Sequence, residues 1–234
     1  RELGFAARLA QYGNGTAAYS ATLGFRSDIP ELSISSNLVG LALNLPAPFT
    51  KSADAPMPLQ LETSAVKASL NAGSDGVVQA QDQLQLDVGK LASIVFVRDV
   101  SGPEARVLRG AIAVGIAADE SAPMPTEGVV ANVSLASLNL DAWSEVLSRA
   151  AGADLAPATV VSTNSPVSAS YLPTSVAVRA RELTVGGRKL NNVVVGGGRE
   201  GLLWRANLDA TEINGYVEYR QSSGPTAGRL YARL

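Results

Sequence analysis

The feature that most constrains the fold is a series of alternating segments between residues 176 and 220, separated by glycine turns. The segments read VAVRARELTV, RKLNNVVV, LLWRANLDA and EINGYVEYR. Because successive side chains of a β-strand point to opposite faces, this alternation predicts strands with one apolar and one polar face. No helical pattern interrupts the stretch, which predicts a sheet extended by antiparallel neighbours rather than by βαβ crossovers.

Similar strand patterns fill the first 138 residues. The turn Gly13-Asn14-Gly15 lies between two alternating segments and predicts a hairpin. In the segment that follows, Leu32 and Leu41 have opposite parity, so we expect a bulge or kink near Val39-Gly40. Four prolines within residues 46–58 predict a surface loop.

One amphipathic helix is predicted near residues 140–151. Its apolar side chains recur at helical spacing, Asn139 or Asp141 can cap its start, and Gly152 can end it. The apolar positions are Leu140, Trp143, Val146, Leu147 and Ala150.

The sequence thus divides into a β-sheet segment (1–138), the helix (139–152), a linker or mobile loop (153–175) and a β-meander that continues the sheet (176–234). The predicted fold class is mainly β: a twisted antiparallel sheet or meander that is curved into a taco-like apolar groove, with one amphipathic helix. Loop 153–175 is small, polar and proline-bearing, which is typical of linkers.

Composition excludes several function classes. The chain has no histidine and no cysteine, which removes Ser-His-Asp and Cys-His catalysis and most zinc sites. A net charge of −2 argues against a nucleic-acid partner. We therefore predict no catalytic, cofactor-binding or metal-binding residue, and no cofactor.

Two motifs allow a chemical interpretation that their context disfavours. Gly196, Gly198 and Gly201 match GxGxxG, but a strand pattern follows them where a dinucleotide site needs a helix, so a hairpin turn is predicted. The carboxylate pairs are predicted to be solvated loop charges; an enzyme would have to use them alone. The pairs are Asp119–Glu120, Asp99 with Glu104, and Asp209 with Glu212.

The aliphatic stripes of the strands have two interpretations. Hydrophobic residues make up 46% of the chain but aromatic residues only 5%, so the apolar surface is aliphatic. The stripes could fill a closed sandwich core, which the pattern alone favours, or line an open groove for acyl chains. The candidate groove residues are Leu32, Ile34, Leu41, Leu43, Leu45, Leu84, Leu86, Val88, Ile112, Val114, Ile116, Val133, Leu135, Val176, Val178, Leu183 and Val185.

Three segments resemble the YhdP family of AsmA-like proteins. They are SNLVGLALNLPAPFTKSADAPMPLQL (36–61), NVSLASLNLDAWSEVLSRA (132–150) and the meander VRARELTVGGRKLNNVVVGGGREGLLWRANLDATEINGYVEYR (178–220). Their order and spacing carry the resemblance, which runs from about Leu32 to the C-terminus. The motifs contain no catalytic residues.

The resemblance implies a bridge-like lipid-transfer protein of the Gram-negative envelope. Such a protein is anchored in the inner membrane by an N-terminal helix and has a periplasmic body whose curved sheet carries phospholipid towards the outer membrane. The chain opens on Arg1 without Met and is expected to be an internal or C-terminal-half piece. The expected partners are phospholipid acyl chains, other segments of the same long chain and envelope proteins, without nucleic acid. The alternative is a non-enzymatic structural or assembly module.

Overall fold

The computed structural model describes residues 11–26, 29–66, 80–116, 123–151, 170–221 and 228–233. Its described part contains fourteen strands and one helix, α1 (Leu140–Ala151). The strands are β1 (Gly13–Gly15), β2 (Tyr19–Arg26), β3 (Ile29–Ser36), β4 (Leu41–Leu43), β5 (Leu59–Ala65), β6 (Gln81–Val88), β7 (Ala92–Asp99), β8 (Arg106–Val114), β9 (Gly128–Asn139), β10 (Ser175–Val185), β11 (Arg188–Glu200), β12 (Leu203–Asp209), β13 (Asn214–Arg220) and β14 (Arg229–Arg233).

Twelve of these strands form one open, twisted sheet. Its order is β14-β13-β12-β11-β10-β9-β8-β7-β6-β5-β3-β2, so nearly every strand lies beside its neighbour in sequence. The sheet is mostly antiparallel and not closed into a barrel. At a strand spacing of about 4.8 Å, the twelve strands extend over roughly 50 Å. The predicted fold class, a mainly β protein with one helix, is confirmed.

The sheet differs from the prediction at β9, which pairs in parallel with both β8 and β10. The expectation that antiparallel neighbours alone extend the sheet is therefore wrong here. Parallel neighbours need a connection of a dozen residues or more, and the chain between β9 and β10 includes α1. The signal was available, because the predicted helix lies between two strand segments, as it does in a βαβ unit.

The predicted hairpin at residues 13–15 is also wrong, because these residues form β1. This strand pairs with β4 in a separate two-stranded sheet. Gly15 has a φ of 105°, and a Cβ there would lie 2.1 Å from the carbonyl oxygen of Gly40. The glycines therefore permit close approach of two backbones rather than a tight turn.

The kink expected near Val39-Gly40 is confirmed, with a different consequence from the one foreseen. Leu38 and Gly40 have positive φ angles of 52° and 96°, and the chain passes there from β3 in the large sheet to β4 in the small one. The opposite parity of the leucines on either side reflects membership of two sheets rather than one kinked strand.

The strand directions define two ends of the large sheet. We call upper the end at which β9 finishes and α1 begins, and lower the end at which β9 starts at Gly128. The pairing registers place the β10–β11 turn and the connection from β3 to β5 at the upper end. They place the β11–β12 turn and the start of β14 at the lower end.

The helix and the 44–58 loop meet at the upper end. The Trp143 indole Nε1 donates a hydrogen bond to the carbonyl oxygen of Ala47 at 3.2 Å, and its ring packs edge-on against Phe49 with centroids 5.8 Å apart. Lys51 is buried in the loop, where its Nζ donates to the carbonyl oxygens of Leu41 and Ser52. This loop, predicted from its prolines, is thus built to contact α1, and together they form what we call the upper cap.

The start of α1 is held by one carboxamide and one carboxylate side chain. Asn139 Oδ1 accepts the backbone N–H of Ala142, as an N-cap does. Both carboxylate oxygens of Asp141 accept backbone N–H groups of the β10–β11 turn, from Gly186 at 2.8 Å and Gly187 at 2.9 Å. Both glycines have positive φ, as a two-residue hairpin turn of type I′ requires. Asp141 therefore fastens the helix to the sheet.

Some predicted features lie outside the described residues. They are Gly152, which is predicted to end the helix, the carboxylates Asp119 and Glu120, and most of the predicted linker, residues 153–169. Residues 170–174 of that linker are described and lie at the lower end, where Thr174 N donates to the carbonyl oxygen of Val129 at 2.7 Å.

Replacing Asp141 should loosen the helix from the sheet. Asp141→Ala removes two charge-assisted hydrogen bonds and should lower the free energy of unfolding by about 1–2 kcal/mol. Glu145→Ala is the matched control on the same helix, since it removes only an exposed ion pair with Arg149 and should cost a few tenths of a kcal/mol. Urea denaturation of both variants measures the difference; equal losses would contradict the role given to Asp141.

Glu212 should give the stability of the β12–β13 turn a pH dependence. Its carboxylate accepts hydrogen bonds from the backbone N–H of Asn191 at 2.8 Å and from the side-chain amide of the same residue, and these bonds hold the pKa of Glu212 below its ordinary value of 4.5. A lowered folded-state pKa means that the stabilisation is present above the unfolded pKa and lost as pH falls through the folded one. Glu212→Gln should therefore be less stable than the parent at pH 7, and the gap should close below about pH 4.5. A gap that stays constant down to pH 2 would contradict this.

Candidate functional site

One face of the large sheet is apolar from the first strand to the last. Residues directly opposite each other on paired strands share a face, so the registers carry the assignment across the sheet. We call this surface the apolar face. It includes Leu23, Leu32, Ile34, Leu59, Leu61, Leu84, Leu86, Val88, Ile94, Phe96, Ile112, Val114, Val129, Ala131, Val133, Leu135, Val176, Val178, Ala180, Val193, Val195, Leu208, Val217 and Leu230.

The opposite face, which we call the outer face, is mostly polar. The same registers place short hydroxyl, amide and charged side chains there, with a small aliphatic patch at Val95 and Val97. Its polar members include Ser20, Thr22, Ser33, Ser35, Gln60, Glu62, Gln83, Gln85, Asp87, Ser93, Arg109, Asn132, Ser134, Arg179, Arg205, Asn207 and Glu218.

The structure brings together most of the predicted groove residues. Eleven of the seventeen lie on the apolar face by register, namely Leu32, Ile34, Leu84, Leu86, Val88, Ile112, Val114, Val133, Leu135, Val176 and Val178. Leu183 joins them because an irregularity in β10 returns it to the face of Ala180. Their contact with lipid stays a prediction.

Four of the other five predicted residues lie elsewhere. Leu41 and Leu43 belong to β4 in the small sheet, and Leu45 lies in the 44–58 loop. Ile116 follows the end of β8, beyond Gly115 with its φ of 68°. Val185, the fifth, shares the face of Leu183 by register but lies at the end of β10 with 40% of its surface exposed.

Sequence reasoning missed several members of the apolar face. Leu59, Leu61, Ile94, Val129, Val195 and Leu208 share it by register. Their segments had been predicted as strands, but alternation within one strand does not say which parity matches that of the next. Only the pairing register supplies this link.

The aliphatic side chains stay on the apolar face across two irregularities in the strand pairing. Between β7 and β8 a register shift lets both Val107 and Gly110 face the same side. Further along, Ala180 and Leu183 belong to one buried cluster although they are three residues apart. Leu138 and Leu190 pack against the same cluster, and Asn192 beside it has a φ of 53°. Bulge-like extra residues thus return the aliphatic side chains to one face.

Two small clusters on this face are filled by the protein itself. One consists of Phe96, Val107 and Val129, and the other of Ala180, Leu183 and Val193. Val129 and Val193 are 1% exposed, whereas Leu61, Leu86, Ile112 and most other members of the face are half-buried. Among the described elements, the helix α1 contacts the large sheet mainly at β10. No second sheet covers the apolar face in this part of the chain.

An aromatic pair lies on the face near the lower end of β7. The Phe96 ring covers Gly110, where an added Cβ would lie 2.4 Å from Phe96 Cδ1. Tyr171 packs edge-on against Phe96 with ring centroids 5.2 Å apart. The absence of a side chain at Gly110 thus makes room for the ring.

A buried ion pair lies at the lower end of β6 and β7. Arg98 Nε donates to Asp82 Oδ1 at 2.9 Å, and the pair lies on the same face as Phe96. Burial alone would lower the pKa of Arg98, but hydrogen bonds to Asp82 and Tyr171 raise it above its usual value. The apolar face therefore ends here in polar groups that are paired with each other.

The lower end of β11 to β14 carries a row of larger side chains. Arg199, Trp204, Tyr219 and Leu230 are direct neighbours across the four strands and lie on the apolar face. The Arg199 guanidinium lies over the Trp204 ring, 5.9 Å from its centroid. One position further down, Arg220 and Arg229 are direct neighbours on β13 and β14, and by register their side chains lie on the outer face. We call Arg199, Trp204 and Tyr219 the basic rim.

The motifs that allowed a catalytic interpretation have structural roles where they are described. Gly196 and Gly198 lie within β11 rather than in the predicted turn, which is confined to Gly201 and Leu202, and the next element is β12. Asp99 accepts the backbone N–H of Ser101, and Glu212 binds Asn191. Within the described ranges, no group of three or more acidic residues is placed to hold a metal ion. No helix in the described part is long and apolar enough to cross a membrane.

Comparison with known proteins gives one match. A family model described as YhdP protein matches residues 3–234, which is nearly the whole chain. No curated protein and no solved structure matches it.

Gly110 gives a direct test of the packing on the apolar face. Gly110→Ala should force the Phe96 ring from its place and lower the free energy of unfolding by about 1–3 kcal/mol. Gly196→Ala is the matched control, because a Cβ at that strand position meets nothing within 4 Å. Thermal unfolding of both variants measures the difference, and Gly110→Ala as stable as Gly196→Ala would refute the packing described.

Proposed function

The chain belongs to the YhdP family of AsmA-like envelope proteins, and from this premise we propose that it forms a segment of an open apolar trough that carries phospholipid between the inner and outer membranes. The observation that carries the proposal is the single apolar face that continues across twelve strands. The proposed location is the periplasm, within a longer protein anchored in the inner membrane. The proposed role is non-enzymatic.

The chemistry of the face suits acyl chains. Hydrocarbon needs exclusion of water and close dispersion contact, which aliphatic side chains supply without directional bonds. Leu84 to Val88 on β6 give an apolar width of roughly 13 Å, and Val129 to Leu138 on β9 give roughly 30 Å. One leaflet of a bilayer has a hydrocarbon depth of about 15 Å, so an acyl chain fits within the width at β9 and covers the full width at β6.

Half-burial of the face supports the trough rather than the sandwich alternative. A sandwich packs a second sheet about 10 Å above the first and buries the inner side chains of both. Within the described ranges the large sheet has no such partner, and a hydrophobic surface of this extent marks a binding surface on soluble proteins. This favours the trough over a closed spacer module. Transport along it would be passive, with acyl chains on the aliphatic floor and head groups in water.

A charge placed on the apolar face should block lipid binding. In Val178→Asp the new carboxylate lies where an acyl chain would pass, and its desolvation is unfavourable. Ala177→Asp is the matched control, since the adjacent residue on β10 faces outward and is exposed. Native mass spectrometry of detergent-free protein should show bound phospholipid in the parent and in Ala177→Asp, and at least a tenfold loss in Val178→Asp.

A cellular assay and a folding control complete the experiment. In the full-length protein, Val178→Asp should fail to complement a deletion strain while Ala177→Asp complements it. Circular dichroism must show the same strand content for all three proteins. A lipid-free parent that is stable and monomeric would overturn the trough in favour of a closed module, as would equal lipid binding by the two variants.

A further inference from the structure

The outer face has a cavity where β9, β10 and β11 are irregular. The strand pairing passes over Arg181 and Asn192, which occupy the same level on β10 and β11, and Asn192 has a φ of 53°. A positive φ is unfavourable for a residue other than glycine, and such residues collect at functional sites. A cavity of about 480 Å³ lies at this level. The irregularity thus coincides with a recess in the sheet.

The side chains that line this cavity lie on the outer face. They come from two successive exposed levels of the three strands, whereas Ala180 and Val193 between those levels turn inward and are only 3% and 1% exposed. The backbone of the inward residues therefore forms the floor, and exposed side chains form the walls. We call this cavity the outer pocket. Its wall residues are Ser134, Ala136, Arg179, Arg181, Asn192 and Val194.

Arg179 and Arg181 bring two positive charges to the outer pocket. They are two residues apart on β10, which separates their Cα atoms by about 6–7 Å, and no acidic residue lines the cavity. Within the ranges that the structure describes, neither guanidinium forms an ion pair, and the adjacent acid Glu182 is already paired with Lys189 at 3.0 Å. Two like charges at this separation repel each other, and an anion between them offsets the repulsion.

We propose that the outer pocket binds a phosphate group between the guanidinium groups of Arg179 and Arg181. A guanidinium donates two parallel hydrogen bonds to phosphate oxygens. A phosphate monoester has three acceptor oxygens and a charge of about −2, which matches two arginines. The Ser134 hydroxyl is a further donor on the wall. The volume falls within the range of small-ligand pockets, about 300–1,000 Å³, so there is room for the group that carries the phosphate.

This site is independent of the proposed trough, because its wall residues lie on the opposite face of the sheet from the aliphatic side chains. Two sources present the same chemical group: a soluble phosphate ester, and a phospholipid headgroup at a membrane surface. Both would be held by the same two arginines, so the experiment has one arm for each source.

The first arm titrates glycerol 3-phosphate into the detergent-free protein in phosphate-free buffer, with isothermal titration calorimetry as the readout. The parent should bind it saturably. Arg179→Gln should weaken binding about tenfold, the effect of losing one charge-assisted hydrogen bond, and Arg179→Gln with Arg181→Gln should abolish it. Arg109→Gln with Arg220→Gln is the matched control, because it removes two exposed arginines from other parts of the outer face. This control should bind like the parent.

The second arm measures flotation of the same proteins with vesicles of dioleoyl phosphatidylcholine and dioleoyl phosphatidic acid in equal parts. Binding of glycerol 3-phosphate that depends on Arg179 and Arg181 supports a soluble phosphate ester as the ligand. Flotation alone that depends on them supports a lipid headgroup. No binding in either arm, or equal binding by the parent and the double variant, overturns the proposal and leaves the proposed function untouched.

Thermal unfolding in phosphate-free buffer separates a ligand site from a structural role. The double variant should unfold within about 2 °C of the parent, the range of a surface change in a domain of this size. A larger loss that the control variant does not share would mean that the two arginines are already held by an acid of the protein, and would also overturn the proposal.

Discussion

The structure depends on one constraint: the two-residue side-chain period of β-strands stays in phase across twelve strands. A shift of one residue in any pairing would move that strand's aliphatic side chains to the outer face. The registers from β2 to β14 hold them together, so that Leu32, Ile112 and Val217 share a face although most of the sheet lies between them. The apolar face, and with it the proposed function, depends on this phase.

Irregularities in the strand pairing keep the aliphatic side chains on one face. The register shift opposite Val97 and Arg98 returns Val107 to the apolar face, where it is buried against Phe96 and Val129. In β9, β10 and β11 the correction falls at the same level, and the registers leave Arg181 without a paired residue on either neighbouring strand. Because all three strands change together, they stay paired and Leu138, Leu183 and Leu190 continue the aliphatic surface.

Local patterns in the sequence predicted the parts of the fold that local physics decides. Alternation predicted the meander after residue 176, and helical spacing together with Asn139 predicted α1 at its observed bounds. The parallel pairing of β9 and the separate β1–β4 sheet depend on contacts between distant residues, such as Gly15 with Gly40. A local pattern holds no information about such contacts, and the Gly-Asn-Gly turn signal was misleading for that reason.

The candidate site likewise has a part that the sequence predicted and a part that it did not. Eleven predicted groove residues lie on one face because their strands were identified correctly, whereas Leu41 and Leu43 were assigned to the wrong sheet. The basic rim had no sequence signal at all. Arg199, Trp204 and Tyr219 are separated by turns of different length, and they become neighbours only through the registers of β11, β12 and β13.

The most direct test of an open, lipid-bearing face compares two adjacent positions of β8 in living cells. A photo-crosslinking amino acid at Ile112 lies on the apolar face, and the same amino acid at Ala113 lies on the outer face. Irradiation followed by mass spectrometry of the purified full-length protein should show phospholipid adducts at position 112 and none at position 113. Adducts only to the protein's own chain at position 112 would contradict the account, because they would mean that the face is a closed core.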